Sequence, residues 1–187
     1  MWIYPDADHD GNLARYLRDP DAPFPSVYIS FPSAKDPSFQ TRYPGRATIE
    51  VITLAAPDWF EPWAGTRWQR RGAEYAAFKA RLAERLLAAL YRHVPQVRGK
   101  VDRTELSTPL STRHFSGHPG GEMYGLSATP ERFRLRLRAQ TPVPGLFLTG
   151  QDLSMAGVVG ALFGGALAAS AVLQRNVLKD EYYIRTV

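Results

Sequence analysis

The residues best suited to hold a charged or hydroxylated ligand run from Thr149 through Gly150, Gln151 and Asp152 to Gly157, Val158, Val159 and Gly160. Glycine lets another molecule come close to the backbone, and the free N–H groups at a helix start attract negative charge. A carboxylate such as Asp152 accepts hydrogen bonds from sugar or polyol hydroxyls. The order of an apolar strand, a glycine turn and a small-residue helix suits a nucleotide site, although the spacing is not G-x-G-x-x-G. Two other readings compete. No residue between Asp152 and Arg175 is charged, and Gly160 and Gly164 form G-x-x-x-G, as in a membrane span over 155–173. The same composition also suits a tightly packed core helix, and its reliance on Ala and Gly makes transfer into lipid only modestly favourable.

Elsewhere the chemistry is thinner. Asp6, Asp8, Asp10 and Gly11 have calcium-loop spacing, but Leu17 stands where the bidentate Glu belongs, and five residues are too few for an entering helix. A solvated acidic turn is the simpler expectation. Arg132, Arg134, Arg136 and Arg138 alternate in "RFRLRLR", with Arg67, Arg70 and Arg71 adding positive charge. No stacking-aromatic signature or nucleic-acid motif accompanies them, so nucleic acid is not an expected partner. His114 and His118 are the closest histidines, and Pro119 with its flanking glycines argues against a helix that would pair them on a metal. Neither G-x-S-x-G nor H-E-x-x-H occurs.

The elements that must position these groups follow from periodicity. "SVYISF" (26–31) and "ATIEVITLA" (47–55) are β-branched runs expected as strands. From Ala73 to His93 apolar residues recur at Tyr75, Phe78, Leu82, Leu86 and Leu90, predicting an amphipathic helix stopped by Pro95. "DPDAPFP" reads as loop, "VDRTELSTPLSTRHFSG" as extended chain and "GGEMYG" as a glycine-bounded loop. Strict alternation predicts a strand over 132–138, and "PVPGLFLTG" reads as a short buried strand ending at Gly150. A helix over about 154–176 completes an α+β chain.

With 44% hydrophobic, 22% charged and 12% aromatic residues among 187, the composition is that of a folded globular chain. The absence of cysteine excludes disulfides and thiolate chemistry, and the N-terminus lacks signal-peptide character, which favours a cytoplasmic protein. A net charge of +5 leaves anionic partners and peripheral membrane contact open.

"PGLFLTGQDLSMAGVVGALFGGALAASAVLQRN" resembles the C-terminal flavin-contacting segment of the phytoene desaturase, carotenoid isomerase and retinol saturase group of FAD-dependent oxidoreductases, closest to the retinol saturase-like branch. "STPLSTRHFSGHPGGEMYGL", "WIYPDADHD" and "YISFPSAKDP" resemble the same branch, so the likeness covers nearly the whole chain. It implies a flavoprotein in which residues 1–105 belong to a substrate-binding region for carotenoid-like polyenes or related lipids. Residues 106–187 would return to a Rossmann-like FAD domain. Carried over by position, Asp152 would meet the ribityl or phosphate part of FAD, with Gly150 and Gln151 beside it as cofactor-binding residues. The backbone of Gly157, Val158 and Val159 would face the isoalloxazine edge, and Tyr124 and Gly125 would lie near flavin or substrate. Glu122 and Tyr124 are the candidate acid or base groups.

Members of that family open with G-x-G-x-x-G, which is absent from these residues. The resemblance therefore implies a C-terminal fragment, inactive by itself, of an enzyme that saturates, desaturates or isomerises C=C bonds, with NAD(P) as an electron partner of the full-length form. An N-terminal Rossmann segment would be its missing partner, and the helix at 154–176 would expose apolar surface without it. A membrane-anchored or anion-binding interaction protein is the alternative.

Overall fold

The computed structural model describes residues 1–179. They form two compact units that part between Gly121 and Glu122. Helices and one small antiparallel sheet make the chain α+β, as expected.

In the first unit, β1 (Trp2–Ile3), β2 (Val27–Ser30) and β3 (Glu50–Ile52) pair in the order β1-β2-β3. Ile3 lies opposite Val27 and Ile29 opposite Val51, so β-branched side chains share one face. That face packs on Leu90 and Val94, burying Val27 and Ile29. Both strands are shorter than the β-branched runs that predicted them.

Between β1 and β2 the chain is not an acidic turn but a helix, α1 (His9–Arg18). Asp8 caps it by accepting from the Gly11 N–H at 3.1 Å, and Asp6 accepts from the Asp8 N–H at 2.8 Å and the Asn12 amide at 2.7 Å. These hydrogen bonds hold the Asp6 carboxyl below its ordinary range. The carboxylates that imitate a calcium loop thus satisfy the orphan donors of a helix start.

Helix α2 (Phe39–Arg42) is a single turn in the connection to β3. The predicted amphipathic helix is α3 (Gly72–His93), about 33 Å long at 1.5 Å per residue. Its C-terminal half supplies Leu90 to the sheet. Its N-terminal half supplies Tyr75 and Leu82 to a second cluster with Phe60, from the 3-10 segment Pro57–Trp63, and Leu110. Arg85 of α3 holds the loop after α1 by donating to the carbonyls of Pro20 and Ala22 while lying over the Phe24 ring.

Leu110 comes from α4 (Pro109–Ser116), where an extended chain was expected. Thr108 and Ser111 form a capping box, Pro109 occupies the first turn, and Gly117 closes the helix at φ +73°. Pro119 lies beyond that stop, so it does not prevent His114 from being helical. His114 stacks on Trp68 with ring centroids 5.1 Å apart. Arg71, read as surface charge, donates to the carbonyls of Thr66 at 2.9 Å and Leu110 at 3.3 Å.

Tyr16 of α1 is fully buried, with its ring edge-on to Trp59 at 4.9 Å. Burial pushes its hydroxyl up from 10.0 to about 12, against smaller opposing effects of Arg85 and Thr53. A raised pKa means that the folded state keeps its proton longer than the unfolded chain. The stabilisation is therefore complete below pH 10 and is lost as pH climbs towards about 12. In alkaline urea titrations, Tyr16→Phe is expected to flatten this decline; an unchanged pH slope would contradict it.

Candidate functional site

The second unit begins at Glu122 and contains the residues of the proposed ligand site. Helix α5 (Pro130–Arg134) occupies the start of "RFRLRLR", and no strand follows it. Thr129 accepts from the Arg132 N–H at 3.3 Å, and Pro130 takes the first helical position. This N-terminal chemistry outweighs an alternation that has no neighbouring strand to pair with among the described residues. The buried strand expected over 142–150 is also absent. Only an isolated bridge joins Gln140 to Phe147, and Leu146 and Leu148 remain exposed.

Beyond it, the 3-10 turn Gln151–Leu153 leads to α6 (Val158–Leu173), shorter at both ends than the predicted 154–176. At 16 residues α6 spans about 24 Å, less than the roughly 30 Å of a bilayer core. No helix among the described residues is long and apolar enough to cross a membrane, which removes the span over 155–173.

Glycines set how α6 is seated. A Cβ on Gly160 would strike the Met155 carbonyl, and one on Gly164 would strike the Gly150 carbonyl. Helix backbone therefore rests directly on turn backbone. Ser154 Oγ donates to the Gly160 carbonyl at 2.9 Å, and Gln151 Oε1 accepts from the Gly157 N–H at 2.9 Å. Gly150 and Gly157 have φ of +95° and +93° with ψ near 180°, a region open essentially only to glycine. Nothing lies within 4 Å of where either Cβ would stand, so a ligand could approach both.

Helix α6 starts without a side-chain cap or an acidic residue in its first turn. The N–H groups of Val158, Val159 and Gly160 precede the first helical hydrogen bond, made by Ala161 to the Gly157 carbonyl at 2.9 Å. Val158 is 87% exposed, and apolar exposure continues along the helix at Leu162, Leu167 and Leu173.

Asp152 has a structural role that its sequence position did not reveal. Its carboxylate accepts from the Leu126 N–H at 2.9 Å and fills the space beside Gly125, where a Cβ would collide with it. The Arg132 guanidinium donates to the Asp152 carbonyl. Gly125, Gln151, Asp152 and Arg132 thus share one shallow recess of about 30 Å³. It has room for a water or two at roughly 10–15 Å³ each, far short of a flavin ring, so these residues form a wall and not an enclosure. Tyr124 is 56% exposed beside this clamp, Glu122 is also exposed, and neither lines the recess. Among the described residues no group of three or more His, Cys, Asp or Glu side chains could hold a metal ion.

Comparison with curated proteins finds the all-trans-retinol 13,14-reductases of Macaca fascicularis and Homo sapiens. Each is 36% identical over 96% of this chain. The chain matches the retinol saturase-like branch. It spans 31% of the length of these two retinol saturase relatives. A Danio rerio protein named inactive all-trans-retinol 13,14-reductase is 39% identical over 94% of the chain, which covers 30% of it. No family model matches, and no solved structure matches.

Of the residues expected from the sequence, the fold brings together Gly125, Gln151 and Asp152 at the recess and places Gly157, Val158 and Val159 at the helix start. Ser154 escaped the sequence reading, and Arg132 was read as one of four alternating strand arginines, without its contact to Asp152. Thr129-Pro130-Glu131 was the available signal for Arg132, because it is a helix-start pattern. The contact of Ser154 with Gly160 depends on tertiary placement and had no comparable signal.

Proposed function

We propose that this chain supplies the helix-start wall of a flavin site in an oxidoreductase acting on C=C bonds of an apolar polyene of the retinoid class. The observation that carries the reading is the bare N-terminus of α6. Among the described residues no partner accepts from the N–H groups of Val158, Val159 and Gly160, which follow a glycine whose far side is open. Such a terminus favours a ligand edge that bears or develops negative charge. The names of the retinol 13,14-reductase relatives support the substrate class and a reductive direction.

When bound, a flavin supplies the hydride. The residues here orient and exclude. Gln151 fixes Gly157 so that the helix start stays open, and Asp152 ties the 125–126 loop to the turn. The carboxylate oxygen of Asp152 not used by Leu126 is assigned to a ribityl hydroxyl. Adding hydride across a double bond requires a proton at the other carbon, and Glu122 and Tyr124 are the groups assigned to deliver it. Since G-x-G-x-x-G is absent from the 187 residues, the FAD pyrophosphate is assigned to a dinucleotide-binding unit outside them. Residues 1–105 are assigned to substrate binding and 106–187 to the flavin part; residues 180–187 lie outside the described residues.

A chimera tests this reading: this chain replaces the matching segment of the human relative, and flavin content and retinol reduction are measured separately. A yellow protein is expected, losing at least tenfold in flavin affinity on Asp152→Ala. A soluble, monodisperse but colourless chimera would overturn the proposal. Separating the readouts matters because one relative is named inactive.

A further inference from the structure

The antiparallel register that buries Val27 and Ile29 and half-buries Val51 on one side of the sheet gathers different residues on the other. Trp2 lies opposite Tyr28, and Tyr28 opposite Ile52, so one row crosses all three strands. The Trp2 ring is 4.6 Å from that of Tyr28 and stacks near-parallel with Tyr4 at 6.4 Å, while Tyr4 meets the His9 ring edge-on at 4.9 Å. Trp2 is 64% exposed, and Tyr4, Ile52 and Leu54 are also open to solvent. Scattered apolar residues on a surface are ordinary, but an aromatic row in register is a platform.

The platform ends in a cavity of about 260 Å³ lined by Tyr4, His9, Leu13, Pro25, Ser26 and Leu54. Its wall is apolar except for the Tyr4 hydroxyl, the His9 imidazole and the Ser26 hydroxyl. None of these three makes a side-chain hydrogen bond among the described residues. An apolar hollow with a few convergent polar groups is how small-molecule sites are built, usually at about 300–1,000 Å³. A cavity just below that range takes one end of a long ligand and leaves the rest along the row.

We propose that this face binds a flat, conjugated, apolar alcohol. Its hydroxyl end sits at Tyr4, His9 and Ser26, and its polyene lies against Trp2, Tyr28 and Ile52. The ligand class rests on the function proposed above; the site rests on the register, the ring contacts and the cavity. Exposed aromatic rings in a row favour a planar π-system over a kinked saturated chain, because the ligand keeps ring contact along its length.

The test is titration of the 187-residue chain with all-trans-retinol, read by the ligand's own fluorescence gain. The Trp2→Ala/Tyr28→Ser double variant is expected to raise Kd at least tenfold, and the single variant Ile52→Ser about threefold. Phe115→Ser, altering an aromatic that is 70% exposed elsewhere in the same unit, should leave Kd unchanged. Ser26→Ala should weaken retinol more than the corresponding hydrocarbon without the hydroxyl. Retained helix content by circular dichroism shows that each variant is folded, and Ile52→Ser serves if the double variant is not. Equal binding by wild type and Ile52→Ser would overturn the proposal. So would a Trp2 effect confined to self-association in light scattering. A colourless chimera with Trp2-dependent retinol binding would remove the flavin reading and leave this site intact; a yellow chimera whose retinol binding ignores Trp2 would do the reverse.

Discussion

Gly164→Ala is expected to unseat α6, while Gly165→Ala, one residue along, is expected to stabilise it. At Gly164 the new methyl would collide with the carbonyl oxygen, carbonyl carbon and nitrogen of the Gly150 backbone, which cannot rotate away like a side chain. Either the helix lifts or the turn deforms, at a cost of about 3 kcal/mol, the upper end for overpacking. At Gly165 nothing stands within 4 Å, and the exchange gains about 1 kcal/mol of helix propensity. Hydrogen–deuterium exchange over Val158–Leu173 reads both: protection should fall about a hundredfold in the first variant and rise about fivefold in the second. Similar protection in the two would mean that the helix is not seated on Gly150. Since Gly150 and Gln151 lie in the same turn, Gly164→Ala should also weaken flavin retention in the chimera.

Phe60→Ala should be the most damaging truncation in the first unit. Phe60 is fully buried, edge-on to Phe78 at 5.4 Å, in the cluster that joins α3 to Leu110. Removing the ring leaves a cavity that Tyr75, Leu82 and Leu110 close only in part, at about 3–5 kcal/mol. Against a typical domain stability of about 5–15 kcal/mol, that is a large share. At about 2 kcal/mol per molar of urea, the midpoint should fall by roughly 2 M. Trp59 and Trp63 flank Phe60 in sequence and report the transition by fluorescence. Phe60→Leu keeps most of the volume and should cost about 1.5 kcal/mol or less. A midpoint shift equally small for Phe60→Ala would place the ring outside the core.

Sequence periodicity sufficed wherever the local pattern agreed with what the element packs against. Helix α3 was legible because its apolar stripe from Tyr75 to Leu90 fits one face and Pro95 bars continuation. The strands at Val27 and Glu50 were legible because β-branched side chains sit well on a pleated surface, though pairing trimmed both. The likeness to the retinol saturase-like branch was legible from whole segments, since quoted stretches at both ends and in the middle resemble it.

The failures share a cause. "RFRLRLR" and "PVPGLFLTG" carry strand-like patterns, but a strand exists only when a neighbour accepts its hydrogen bonds, and here the pairing is limited to Gln140 with Phe147. At Asp8 and Thr108 the polar residue that looked like turn or extended chain is a helix cap, and Thr129 caps a helix where a strand was expected to follow. Such caps are recognisable in principle, and weighing prolines and acidic residues as breakers hid them.

The sequence by itself determined the glycine placement and the uncharged helix start over residues 150–160, because these are local properties. Only the tertiary structure decided how those residues are used. Asp152 holds Leu126, Gln151 holds Gly157, and Gly160 and Gly164 are glycines because backbone lies against them. Likewise, no periodicity foretold that Trp2, Tyr28 and Ile52 would stand in one row, since register is a property of paired strands and not of any one of them.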